Sequence, residues 1–207
     1  MKAVLLANRK GGCGKTLAAV TLASALAERG NRVALIDADA QKSAMRWLKR
    51  RPAEARPIAG VNWTEKHSVG DVPKGFDWLV IDAPGAIRSK RAEGLIAEAE
   101  VVIAPVMPSF FDTDSTKRFV RDIEDIKRIR KGKVALHLLA NRVRPRQKGT
   151  QRLEDFFSAL GQVPAAWITE RAAYAELAAQ GLAVFDRHQS AWKPMRAQWE
   201  PVVSLLE

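Results

Sequence analysis

Short uninterrupted apolar runs alternate with longer stretches of helical periodicity along this chain. Residues 3–7, 33–36, 76–82, 101–106 and 134–140 are the apolar runs. Runs without polar alternation suit strands buried on both faces of a parallel sheet. Between them, residues 17–28 read as an alanine-rich helix that stops at Arg29-Gly30, and residues 44–51 as a helix capped by Ser43 and ended by Pro52. Residues 89–99 form another helix. The stretch PVMPSFFDTDST from Pro105 leads into a further helix, with Asp112 or Asp114 as its cap and Val120, Ile123, Ile126 and Ile129 as its apolar stripe. Residues 52–75 mix proline, glycine and polar positions, which predicts a loop-rich connection with one short strand near 61–64. Helices over 150–160, 170–180 and 190–206 complete the chain, Pro194 and Pro201 bounding or interrupting the last. Alternating strands and helices predict an α/β fold, a mostly parallel twisted sheet with helices on both faces, and 207 residues suit one domain over 1–207.

The first apolar run leads into NRKGGCGKT, residues 8–16, and then into a helix. A glycine-rich turn from strand to helix lets consecutive backbone N–H groups converge on an anion at the positive end of the helix. Gly11, Gly12, Cys13, Gly14, Lys15 and Thr16 match the P-loop pattern GxxxxGK[ST], with Arg9 where its first glycine usually stands. In that pattern Lys15 reaches the β- and γ-phosphates and the Thr16 hydroxyl sits on Mg²⁺. The fold expected is therefore P-loop NTPase-like, with ATP and Mg²⁺ as cofactors.

Two more acidic strand ends fall on the same edge. DADAQ, residues 37–41, emerges after the second apolar run, where doubly wound sheets place their ligands. FDWLVID ends at Asp82, the Walker B arrangement for a magnesium-holding carboxylate, and is followed by Ala83-Pro84-Gly85.

KGGCGKT resembles the deviant Walker A motif of the ParA/MinD superfamily of ATPases, whose early lysine, here Lys10, reaches across a dimer to the other subunit's nucleotide. DADAQKSAMRW from Asp37 to Trp47 is similar to the small ParA-type members, with Ala40 where they commonly have proline. The segment from Ile168 to Asp186 resembles their C-terminal region, so the likeness runs from residue 2 to about 186. The resemblance implies that Lys10, Lys15 and Asp39 serve catalysis, Asp39 positioning the water, and that Asp37 supports the metal shell of Thr16 and Asp82. It also implies that Pro108 and Asn141 lie around the adenine.

Charge adds a partner. The net charge is +11 and the pI near 10.2. Ten basic residues stand between Lys127 and Arg152 without an acid: Lys127, Arg128, Arg130, Lys131, Lys133, Arg142, Arg144, Arg146, Lys148 and Arg152. That footprint points to sequence-neutral contact with DNA phosphates. One cysteine, Cys13, rules out an internal disulfide framework, and no apolar run approaches the ~18 residues of a membrane span. A cytoplasmic, nucleoid-associated protein without a membrane partner is expected. His67, His137 and His188 show no metal-ligand spacing, and no nucleophile elbow is present.

These observations together predict a ParA-type ATPase that dimerises with ATP, binds nonspecific DNA, positions or segregates a cargo, and is stimulated by a ParB-like or other cargo adaptor. The alternative is a nucleotide-switched DNA-binding accessory protein, as in conjugative transfer, with little turnover. A metabolic P-loop enzyme would need an acceptor site or cluster cysteines, and Cys13 stands alone.

Overall fold

The sheet is built from seven strands in the order β3-β2-β4-β1-β5-β6-β7, every neighbouring pair parallel. A computed structural model describes residues 1–64, 74–85 and 89–207; residues 65–73 and 86–88, and the side chains of residues 89–92 and 130, lie outside that description. In chain order the elements are β1 (Lys2–Leu6), α1 (Lys15–Glu28), β2 (Val33–Asp37), α2 (Ser43–Leu48), β3 (Ala59–Asn62), β4 (Trp78–Asp82) and α3 (Ser89–Glu98). They continue with β5 (Val101–Val106), α4 (Phe110–Glu124), α5 (Lys127–Arg130), β6 (Ala135–Val143), α6 (Lys148–Ala159), β7 (Trp167–Thr169), α7 (Ala172–Ala179) and α8 (Lys193–Ser204).

The unbroken apolar runs are explained by two cores, one on each face of the sheet. Val4, Leu6, Leu35 and Val80 face α1, α7 and α8, while Leu5, Ala7, Ile36, Leu79 and Ile81 face α3, α4 and α6. Helix α1 is buried on nearly all sides because α2, α8 and the Val184–Asp186 turn cover it as well as the sheet. An alanine-rich sequence suits that crowding, since small side chains let neighbours approach closely. The C-terminal helix is anchored by Trp199, fully buried, whose indole N–H donates to the Tyr174 hydroxyl at 3.0 Å.

Several boundaries differ from those the sequence predicts. Helix α2 is shorter than expected, and Ser43 is its first residue instead of its cap; Lys42 in the left-handed conformation (φ 52°) precedes it. The Met45 N–H is taken by Asp37 at 2.9 Å, so a carboxylate from the end of β2 does the capping. Helix α4 is capped by Ser109, not by Asp112 or Asp114: the Asp112 N–H donates to the Ser109 hydroxyl at 3.2 Å. The Ile126–Ile129 part of the expected stripe belongs to a separate short helix, because the chain turns extended at Ile126. The edge strand near 61–64 lies at Ala59–Asn62, and β7 is an addition that the sequence pattern did not signal. Pro201 lies inside α8.

Candidate functional site

At the carboxyl ends of β1, β2 and β4 the chain concentrates its polar burial. Gly12 (φ 78°) and Gly14 (φ 98°) take the left-handed conformation in the loop after β1, and Gly14 delivers the chain into α1. A side chain at either position would be strained. Asn8, fully buried, braces the loop from below, donating to the Pro105 carbonyl at 2.8 Å and the Thr116 hydroxyl at 2.9 Å, while its own carbonyl oxygen accepts the Lys10 N–H at 3.2 Å.

Lys15 is 6% exposed, and its ammonium donates to the Lys10 carbonyl at 3.0 Å. The Cys13 thiol donates to the same carbonyl at 3.2 Å, and burial pushes its pKa up. Asn141, at the end of β6, donates to the Cys13 carbonyl at 2.8 Å. Arg9, which stands where the pattern has glycine, is paired with Asp122 of α4 at 3.0 Å on the surface. Among the described residues the Lys10 ammonium has no carboxylate partner.

The acidic strand ends are in register, Asp37 opposite Asp82 on adjacent parallel strands and Asp82 opposite Leu6 of β1. Both carboxylates are fully buried. Asp37 is satisfied by two backbone donors, Asp39 N–H at 3.1 Å and Met45 N–H at 2.9 Å. Asp82 has neither oxygen in a well-formed hydrogen bond among the described residues. Burial drives its pKa up to about 7, with the Thr16 hydroxyl and Lys15 pulling down and Asp37 and Asp39 adding to the rise. A buried, unbonded carboxylate beside a threonine hydroxyl and a buried lysine fits a divalent cation, which would supply the missing partner. Among the described residues no group of three or more His, Cys, Asp or Glu could hold a metal unaided. The set therefore suits Mg²⁺ shared with phosphate oxygens.

Asp39 is half-buried and joins two loops: it accepts the Gly85 N–H at 3.2 Å and the Gln41 N–H at 2.9 Å. Gly85 also approaches the glycine loop, since a Cβ there would lie 3.7 Å from the Gly11 Cα. The three loops thus form one cradle: Gly11–Thr16, Asp37–Gln41 and Asp82–Gly85. Asn8 heads the glycine stretch in the sequence, but nothing local ties it to Pro105 or Thr116, because those bonds span 97 and 108 positions.

Residues 4–184, which carry the glycine loop and the two acidic strand ends, match a family model described as the CobQ/CobB/MinD/ParA nucleotide binding domain. The chain belongs to this ParA/MinD family. It is 28% identical over 186 residues to maintenance of carboxysome distribution protein A of Halothiobacillus neapolitanus, covering 87% of this chain and 85% of that protein. A protein of the same description from Gloeobacter kilaueensis is 34% identical over 117 residues, 54% of this chain and 51% of its own length. Among solved structures, apo McdA of Cyanothece superposes with a TM-score of 0.81 at 16% identity over 100% of both chains. MinD of Pyrococcus horikoshii with Mg-ADP gives 0.73 at 15%, covering 100% of this chain and 96% of that one. The seven-stranded parallel sheet is thus the ParA/MinD fold, and this is a family of P-loop nucleotide-binding proteins.

Outside the cradle, Pro108 and Asn141 have different surroundings. Pro108 lines a cleft of about 260 Å³ with Ser109, Arg142, Arg144 and Gly149, whereas Asn141 is turned onto the P-loop. The acid-free basic segment is also divided. Strand β6, whose nine residues span ~30 Å, separates Lys127, Arg128, Lys131 and Lys133 at its start from Arg142, Arg146 and Lys148 at its end. Arg144 is paired with Glu170, and the Arg130 side chain lies outside the described residues. No helix among the described residues is long and apolar enough to cross a membrane.

Proposed function

We propose that this chain is a ParA-type positioning ATPase that binds MgATP, dimerises in that state, holds nonspecific DNA and lets go when an adaptor protein stimulates hydrolysis. The observation that carries this reading is Asp82: a fully buried carboxylate with neither oxygen in a well-formed hydrogen bond among the described residues, its charge favoured only by the nearby Thr16 hydroxyl and Lys15. Thr16 and Asp82 would hold Mg²⁺, with Asp37 supporting that shell by fixing the loop that carries Asp39. When bound, the metal neutralises charge on the phosphates.

The chain's own groups would divide the remaining work. Lys15 moves from its loop carbonyl to the phosphates, and the Gly11–Thr16 N–H groups cradle them. Asp39 positions the attacking water and, through its bond to the Gly85 N–H, ties that water to the loop after β4. Lys10, with no carboxylate to hold it among the described residues, extends toward the second subunit. Pro108 and Asn141 flank the base. Arg142, Arg146 and Lys148 at one end of β6, with Lys127, Arg128, Arg130 and Lys131 at the other, contact DNA phosphates. Pooling the patches of two subunits steepens the salt dependence of binding.

The test is Asp39→Ala. ATP should still bind, phosphate release should fall to background, and a DNA-bound dimer should accumulate in sedimentation with ATP. Hydrolysis at the wild-type rate in this variant would remove Asp39 from the mechanism.

A further inference from the structure

Helix α2 carries charge that the nucleotide site does not use. Between Ala40 and Ala53 the chain has five basic residues, Lys42, Arg46, Lys49, Arg50 and Arg51, and no acid. They divide between two faces. Ala44, Trp47, Leu48 and Arg51 turn toward the protein, while Arg46, Lys49 and Arg50, spaced i, i+3 and i+4, share the exposed face.

The inward face is firmly fixed. The Arg51 guanidinium donates to Asp186 at 2.7 and 3.0 Å, the pair being 6% and 2% exposed, and it lies 5.0 Å from the Trp47 ring centroid. The Trp47 indole N–H donates to the Leu182 carbonyl at 3.2 Å. Gly181 is pressed so closely on this helix end that a Cβ would lie 2.3 Å from the Arg50 carbonyl carbon. The outward face is therefore presented on a rigid support.

Among the described residues, no carboxylate pairs with that face. Among the described residues Arg46 and Arg50 donate only to backbone carbonyls, those of Gln41 and Arg46, and Lys49 has no carboxylate partner. Solvated helix faces commonly interleave both signs, whereas here Arg46 and Arg50 repel one another at i, i+4. No large apolar side chain is exposed beside them, the exposed ones described being Met1, Phe110, Phe111, Val163 and Leu205. A bilayer-seeking helix would carry such a residue.

We propose that Arg46 on α2, with Lys49 and Arg50 in the turn that directly follows it, forms a second DNA surface that takes the phosphodiester backbone of a duplex without reading bases. It rests on the DNA-binding reading above but is separate from the segment already assigned. Strands β2 and β6 stand four steps apart in the sheet, or ~19 Å at the usual strand spacing. The α2 face follows directly from the loop of Asp39, so DNA on it lies next to the nucleotide machinery.

The experiment measures binding of a short mixed-sequence DNA duplex by fluorescence anisotropy, with a nonhydrolysable ATP analogue, between about 50 and 200 mM salt. The proteins compared are the full chain, Arg46→Gln/Lys49→Gln/Arg50→Gln, and Arg142→Gln/Arg146→Gln/Lys148→Gln. Nucleotide affinity and the thermal midpoint report that each variant is folded. Loss of three phosphate contacts should lower the log–log salt slope by about 2–3 and weaken binding roughly tenfold or more at the higher salt. A wild-type slope in the α2 variant, with the drop confined to the β6-end variant, overturns the α2 surface and leaves the DNA reading standing. A wild-type chain that binds no duplex overturns that reading itself. Loss of binding to anionic vesicles, with duplex binding intact, would reassign the face to a membrane and also overturn the proposal.

Discussion

The Asn141 amide reaches across 128 positions of sequence to donate to the Cys13 carbonyl at 2.8 Å. It packs so tightly that a Cβ on Gly14 would lie 2.3 Å from its nitrogen. A residue near the end of β6 therefore braces the phosphate loop. Asn141→Ala leaves that carbonyl without its donor, and a hydrogen bond of this kind is worth about 1 kcal/mol. Nucleotide affinity by calorimetry should fall about 5- to 10-fold while the fold is retained. Unchanged affinity would make the contact incidental.

Asp82→Asn keeps the shape of the side chain and removes a buried charge that makes no well-formed hydrogen bond among the described residues. Metal-free protein should gain stability, roughly 1–3 kcal/mol, seen as a higher thermal midpoint. The same variant should lose the added nucleotide affinity that Mg²⁺ confers. A lower midpoint without metal would mean that the carboxylate is satisfied in some other way.

Lys10 contributes its carbonyl to the loop, where Lys15 and Cys13 both donate to it, while its own ammonium has no carboxylate partner among the described residues. Lys10→Ala should therefore leave ATP affinity within about twofold, a difference of some 0.4 kcal/mol. It should abolish the rise of specific activity with protein concentration. Turnover that still climbs with concentration would place the dimer function elsewhere.

The Arg51–Asp186 pair is nearly inaccessible. Removing one partner strands a buried charge, which costs about 3–5 kcal/mol, whereas replacing both by apolar residues of similar size costs far less. Urea unfolding of Arg51→Met, Asp186→Leu and the double variant should show that non-additivity. Additive losses would mean that the two residues act independently.

His137 on β6 is partly buried, and burial holds its pKa below the ordinary 6.5. Between the folded value and 6.5 the unfolded chain binds more protons, so stability should rise with pH through that window. Above 6.5 this group adds no further slope. Unfolding midpoints of wild type and His137→Gln across this range measure the contribution. The variant should be less sensitive to acid, and equal sensitivity would assign the slope to other groups.

Much of the framework was legible without coordinates. Uninterrupted apolar runs mark strands buried on both faces, and five of the seven strands lie on such runs. The glycine loop, Asp37–Gln41 and Asp82 were legible for the same reason: each follows a strand, so its chemistry and its place on the sheet edge are written in adjacent residues. Cap positions were less so. Ser43 and Asp112 satisfy the local rule for a cap, but the first turn of α2 is taken by Asp37 and that of α4 by Ser109.

Only the tertiary structure decided which distant residues meet. Asn8 with Thr116, Asn141 with Cys13, Arg9 with Asp122 and Arg51 with Asp186 are joined by strand order and helix packing, which no local periodicity encodes. The same is true of charge. The basic segment from Lys127 to Arg152 is continuous in sequence, yet β6 carries its two halves to opposite edges of the sheet. The sequence by itself determined the strands, the loop and the sign of the charge, because these depend on neighbouring residues. The braces of the loop and the shape of the basic surfaces depend on where the sheet brings the chain back.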